Sequence, residues 1–228
     1  MADCTKTIEK IKSSIAFISV LNGGSFIAQG SGFVFSENRL VTCNHVVADL
    51  ARRKANKILI SFADSLNNGG LPIEATVDIT HESNDIAVLK FNDKARLPIS
   101  TFTGEIKEGM NVIFSGFPLG LRALTTHQGI ISSITVDSAG AKRYLIDGTV
   151  NTGNSGCPLM TVDGELIGII NATKREDRDL LDQVADLSEE QEHLVLHGID
   201  LIKVYQAIIK NLQLGIGYAV PCSYIPHN

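Results

Sequence analysis

Asp147-Gly148-Thr149-Val150-Asn151-Thr152-Gly153-Asn154-Ser155-Gly156-Cys157-Pro158 lies between two short strand-like runs, residues 143–146 and 158–162. The glycine two places before Ser155 lets the backbone turn its amides inward beside one hydroxyl. The N–H groups of Gly153 and Ser155 then become candidate donors to a developing oxyanion. A G-x-S-G match alone is weak, because a chain of this composition contains one by chance about 0.1 times. The chemistry asks for more. A free serine is a poor nucleophile and needs a base to take its proton.

Two upstream segments supply the missing groups. Leu40-Val41-Thr42-Cys43-Asn44-His45-Val46-Val47 carries a histidine, the natural base near neutral pH. Ser83-Asn84-Asp85-Ile86-Ala87-Val88-Leu89 carries a carboxylate at the head of an apolar run. Alone, such an Asp reads as a turn residue. With His45 and Ser155 it reads as the group that holds an imidazole tautomer. The separations are 85 − 45 = 40 and 155 − 85 = 70, so His45 and Asp85 fall in the first half and Ser155 in the second.

Outward from these segments the chain is a succession of short strand-like runs. The first set is 15–21, 26–35, 39–42, 58–62, 73–80 and 85–91; the second is 111–114, 129–136, 143–146, 158–162, 165–171 and 216–220. Turn residues such as Asn67-Asn68-Gly69-Gly70 and Asp163-Gly164 separate them. Two sets of about six predict an all-β fold of two barrels, with the joint near 98–108. The expected division is 1–104, an N-terminal helix over 5–14 and the first barrel, and 105–228, the second barrel. The site then lies in the cleft between the barrels. Residues 174–213 break the pattern and read as a helical insertion. Ser188-Glu189-Glu190-Gln191 fits a capping box, and Leu201, Tyr205, Ile208 and Leu212 share a helix face. His193 and His197 are four apart on that expected helix, which is zinc-ligand spacing, but no third or fourth ligand accompanies them.

Composition narrows the function classes. The 228 residues carry a net charge of −5, with 44% hydrophobic and 20% charged residues, so the chain is globular and has no basic nucleic-acid footprint. Residues 13–36 lack charge and are long enough to span a bilayer. About half of them are polar or Gly, including Asn22 and Gln29, so two strands and a turn are the better reading and no membrane contact is expected. Asp3 and Glu9 stand where an export signal is basic, so the mature chain is expected to start at Met1 and work in the cytoplasm. Cys4, Cys43, Cys157 and Cys222 form no CxxC pair and are expected as free thiols.

The three segments, together with Gly30-Ser31-Gly32-Phe33-Val34, Gly164-Glu165-Leu166-Ile167-Gly168-Ile169 and Gly215-Ile216-Gly217-Tyr218-Ala219-Val220-Pro221, resemble chymotrypsin-like serine peptidases, most of all the HtrA/Deg protease domain. The resemblance runs from about 14 to 225, the insertion excepted. It implies two perpendicular six-stranded antiparallel β-barrels, a His45–Asp85–Ser155 triad, an oxyanion hole from Gly153 and Ser155, and hydrolysis of a polypeptide substrate without metal or cofactor. It also implies a substrate pocket with Thr149 and Val150 near its base and Ile170, Asn171, Ala172, Thr173, Ile216, Gly217 and Tyr218 as walls. With no acidic residue at that base, a small or medium apolar side chain is expected before the scissile bond.

The sequence departs from the family in four places. No PDZ domain is expected after the barrels. Cys157 stands where Gly is usual. Asn154 replaces the Asp that pairs with a freed N-terminus in digestive enzymes, so activation by clipping is not expected. About 40 residues replace a short loop between two pocket walls. That insertion is acidic in its first half and reads either as a solvated decoration or as a docking surface for a regulatory partner. A catalytically silent scaffold, bound through the same insertion, is the alternative function.

Overall fold

The computed structural model describes residues 3–48, 56–66, 68–171, 195–201, 203–204 and 216–226. Among them are all twelve expected strands of the two barrels. The first barrel closes in the order β1-β2-β3-β6-β5-β4, from β1 (Ile15–Asn22), β2 (Ser25–Ser36), β3 (Arg39–Cys43), β4 (Lys57–Phe62), β5 (Ile73–His81) and β6 (Ile86–Lys90). The second closes as β10-β11-β14-β9-β8-β7, from β7 (Asn111–Gly116), β8 (Thr125–Val136), β9 (Lys142–Asp147), β10 (Pro158–Thr161), β11 (Leu166–Asn171) and β14 (Ile216–Pro221). Every neighbouring pair within the barrels is antiparallel.

The period-two pattern explains the closure. In β4, Ile58, Ile60 and Phe62 are buried while the residues between them are not. The N-terminal helix α1 (Thr5–Ile11) passes into a 3₁₀ turn, Lys12–Ser14, and buries Ile11.

Both barrels belong to one compact unit, 1–172 with 215–228. The buried cluster of the first barrel continues through Ile113, Phe117, Met160, Leu166, Ile169 and Val220 of the second half. Phe17 meets Phe117 edge-on, with ring centroids 5.5 Å apart. The linker adds backbone bonds at both ends. The Ile99 N–H donates to Val34 O at 3.0 Å and the Phe102 N–H to Leu166 O at 2.9 Å. An apolar seam and a zipped linker make the cleft between the barrels a fixed geometry.

The second unit, 173–214, corrects part of the sequence reading. Residues 195–200 are a hairpin, not helix: β12 (Val195–Leu196) pairs antiparallel with β13 (Ile199–Asp200). His197 and Gly198 make the turn at φ 50° and 80°. Two positive φ angles in a two-residue loop match the twist of paired strands, and a His-Gly pair between apolar residues was the available signal. His197 is therefore not on a helix with His193. Leu201 is helical, as expected. The expected capping box, Tyr205, Ile208, Leu212, His193, Ala172 and Thr173 lie outside the described residues. No described helix is long and apolar enough to cross a membrane.

Candidate active site

β3 delivers His45 to the cleft. It ends at Cys43 and runs into a single helical turn, α2 (Asn44–Val47), whose Val46 and Val47 are buried. Asp85 ends a 3₁₀ turn, Glu82–Asn84, between β5 and β6. Its backbone is left-handed, at φ 55° and ψ 45°. Asp is among the few residues that tolerate this conformation, which aims its carboxylate back along β3.

The carboxylate is heavily used. Asp85 Oδ1 accepts the backbone N–H of His45 at 2.8 Å. Asp85 Oδ2 lies 2.6 Å from His45 Nδ1. It also accepts Asn171 Nδ2 at 2.8 Å. An ionised carboxylate only accepts, so Nδ1 carries the proton and Nε2 is left as the basic nitrogen of the neutral ring. The second barrel supports the turn from behind. Arg143, 4% exposed on β9, donates to Asn84 Oδ1 at 3.0 Å and pairs with Asp137 at 2.8 Å.

Ser155 lies on the loop between β9 and β10, with only 5% of its surface exposed. Gly153 has φ 97°. A side chain there would also run into the backbone of Phe117, so only glycine fits. The Thr152 carbonyl accepts the Leu119 N–H at 2.7 Å. Peptide planarity then points the Gly153 N–H the opposite way. The loop is anchored to β11 by Gly156 N–H to Ile170 O at 2.8 Å and Ile170 N–H to Cys157 O at 2.9 Å.

The residues expected to wall the pocket divide. Ile170 is fully buried in the second-barrel core, and its backbone rather than its side chain meets the loop that carries Ser155. Asn171 turns its amide onto Asp85. Ile216, Gly217 and Tyr218 lie on β14, where Tyr218 pairs with Asn171. Val150 fills the space that a side chain at Gly217 would need. A separate cavity of about 490 Å³ includes Thr149 with His127, Asp147 and neighbours of β7–β9, but none of His45, Asp85 or Ser155.

All four cysteines stand outside any disulfide. Burial pushes the Cys43 thiol well up, helped by the Asp85 carboxylate, and burial raises Cys157 strongly as well. Neither is a thiolate near neutral pH. The ligand atoms of Cys43, His45 and Asp85 lie within 4.8 Å of one another. The His45 and Asp85 atoms in that group are committed to each other, and the Cys43 thiol donates to Ile170 O at 3.3 Å. That donor set fits a hydrogen-bond network better than a metal centre.

The bond of Asn171 to Asp85 is not legible in the sequence, where Asn171 reads only as a pocket wall.

Residues 30–169 match the trypsin-like peptidase domain family. The chain is 31% identical over 178 residues to the mitochondrial serine protease HTRA2 of Bos taurus, covering 71% of this chain and 36% of that protein. It is 36% identical over 151 residues to a probable periplasmic serine endoprotease, DegP-like, of Rhizobium meliloti, covering 64% of this chain and 28% of that one. It thus spans about a third of the length of the curated relatives it matches. Among solved structures, a serine endoprotease from Yersinia pestis superposes with a TM-score of 0.66 at 22% identity, over 98% of this chain and 64% of that one.

These relatives overturn the cytoplasmic expectation, since one is mitochondrial and the other periplasmic. That expectation rested on Asp3 and Glu9 standing where an export signal is basic. The charge of those two residues does not distinguish compartments.

Proposed function

The chain belongs to the trypsin-like peptidase domain family, in its HtrA/Deg branch, and on that premise we propose that it is a serine endopeptidase. Ser155 Oγ attacks the scissile carbonyl while His45 Nε2 takes its proton, and the imidazolium returns that proton to the leaving amine. Asp85 fixes the tautomer and stabilises the imidazolium. The N–H groups of Gly153 and Ser155 receive the oxyanion, where each donor is worth about 2.7–4 kcal/mol. The observation that carries this reading is the 2.6 Å contact between His45 Nδ1 and Asp85, an arrangement that leaves Nε2 as the base. The test is fluorophosphonate labelling with mass mapping of the adduct. Modification at Ser155, absent from Ser155→Ala, supports the reading. A folded, unlabelled wild-type protein opposes it.

Asn171 belongs to this machinery as a positioning residue, because its amide holds the oxygen that His45 also uses. Losing one hydrogen bond to a charged group should lower kcat about tenfold in Asn171→Ala. KM should change less than about threefold if Asn171 orients Asp85, and should rise with it if Asn171 is a pocket wall.

For substrate choice, the support is the packing of Val150 against Gly217, which shortens any pocket between them. Cleavage after small or medium apolar residues in a peptide library is expected, and dominant cleavage after Arg or Lys would sink the idea. A second reading keeps the enzyme latent until a partner docks on 174–213. It draws support from Val195, Leu196 and Ile199, each more than half exposed on the hairpin. Labelling that needs a partner would favour it. A silent scaffold would stay unlabelled in every setting.

A further inference from the structure

From the bonds around one buried hydroxyl we infer that Ser31, in the first barrel, positions the oxyanion donors of the second; the inference rests on the peptidase reading above.

Ser31 sits inside β2, opposite Phe17 of β1, and is fully buried. It makes four hydrogen bonds to other elements. Its N–H donates to Ser155 O at 2.9 Å. Its carbonyl accepts Thr42 Oγ1 at 2.7 Å. Its hydroxyl accepts the Phe117 N–H at 2.9 Å and donates to Gly153 O at 2.7 Å. A serine hydroxyl has one proton. The Phe117 N–H can only donate, so that proton goes to Gly153. The direction of every bond is thereby set.

The consequence falls on Gly153. One flanking peptide is held by Leu119 N–H on Thr152 O, and the other by Ser31 Oγ on Gly153 O. A residue whose two flanking peptide planes are held has both soft dihedrals fixed. Glycine has no Cβ to restrict them otherwise. Leu119 thus holds the peptide that contains the Gly153 N–H, Ser31 fixes the next peptide so that the residue cannot turn between them, and the Ser31 N–H holds the carbonyl of Ser155. Thr42 ties the same residue to β3, one position before Cys43 and three before His45. The hydroxyl thus references the anion-binding backbone to the strand that carries the base. Space around it is tight. A Cβ on Gly116 would lie 2.7 Å from Ser31 Oγ, so a longer or branched side chain at 31 has nowhere to go on that side.

Ser31→Ala leaves the Gly153 carbonyl and the Phe117 N–H without this partner and releases the Gly153–Asn154 peptide. A misplaced donor weakens transition-state binding more than substrate binding. The expected result is a fall in kcat of about 10- to 100-fold with KM within about threefold. A peptidyl boronate, which forms a tetrahedral adduct with its oxygen in the hole, should lose affinity by the same factor. A peptide whose scissile carbonyl is reduced to methylene has no such oxygen and should bind as before. Ser31→Cys keeps the shape with a weaker donor, and is read the same way where the alanine variant does not fold. Changes under threefold in kcat and boronate affinity would overturn the inference, as would equal loss of both inhibitors, which marks general loosening. Wild-type protein is labelled with fluorophosphonate in parallel. An unlabelled wild type overturns the reading of the free chain as an active peptidase and the inference with it, whereas a labelled wild type with an unaltered variant overturns the inference alone.

Discussion

Replacing Ser155 with alanine is expected to lower kcat by about 10⁶ while leaving stability nearly unchanged. The hydroxyl is small. The loop around it is held by backbone groups: Ser155 O on the Ser31 N–H, Gly156 N–H on Ile170 O, and Thr152 O on the Leu119 N–H. None of these involves the Ser155 side chain, so thermal unfolding should shift by only a degree or two. No neighbouring nucleophile can step in. Cys157 is two residues on, but burial keeps its thiol protonated, and it lies in the second-barrel core. Residual catalysis of about 10³–10⁴ over water should persist, because the backbone donors remain. Steady-state hydrolysis and thermal melts of the same preparation check both halves. More than about one percent residual turnover would mean that another nucleophile operates, and the assignment of Ser155 would fail.

Asp85→Asn is the second large effect, a fall in kcat of about 10⁴. Three donors aim at this carboxylate: the His45 backbone N–H, His45 Nδ1 and Asn171 Nδ2. An asparagine offers one accepting oxygen and one donating NH₂. Whichever way the amide turns, a donor faces a donor. If the NH₂ faces the ring, Nδ1 must become the acceptor and the proton moves to Nε2. A ring protonated there cannot take the serine proton. Imidazole ¹⁵N shifts report this tautomer change directly. The variant should combine non-additively with Asn171→Ala, because both act through the same oxygen. Additive losses would indicate that Asn171 acts elsewhere, and an unchanged tautomer would remove the explanation for the loss.

Much of this arrangement is readable along the chain, for local reasons. The strands follow from period-two burial, as in Ile58, Ile60 and Phe62. The three chemical residues follow from short motifs whose neighbours bend the backbone, such as glycine at 153. The hairpin at 195–200 was misread because apolar residues at short range fit either a helix face or a strand pair. Only the turn residues His197 and Gly198 distinguish the two. Asn171 was assigned to a pocket wall because its position on β11 is right for one. Its side-chain direction depends on a carboxylate 86 residues away.

The amino-acid sequence by itself determined the two sets of six strands and the family, and it singled out His45, Asp85 and Ser155 as the proposed site. Each of these is encoded in contiguous segments, where period, turn chemistry and spacing act over a few residues. Only the tertiary structure decided how those segments are held together. Asn171 supports Asp85, Arg143 supports Asn84, and Ser31 joins the Ser155 loop to the strand that leads to His45. Those are bonds between buried or part-buried polar groups from segments far apart in the chain. Burial makes them necessary, since an unpaired polar group there is costly. Their identity is set by which residues the closing of the barrels brings within about 3 Å, and a linear pattern does not carry that information.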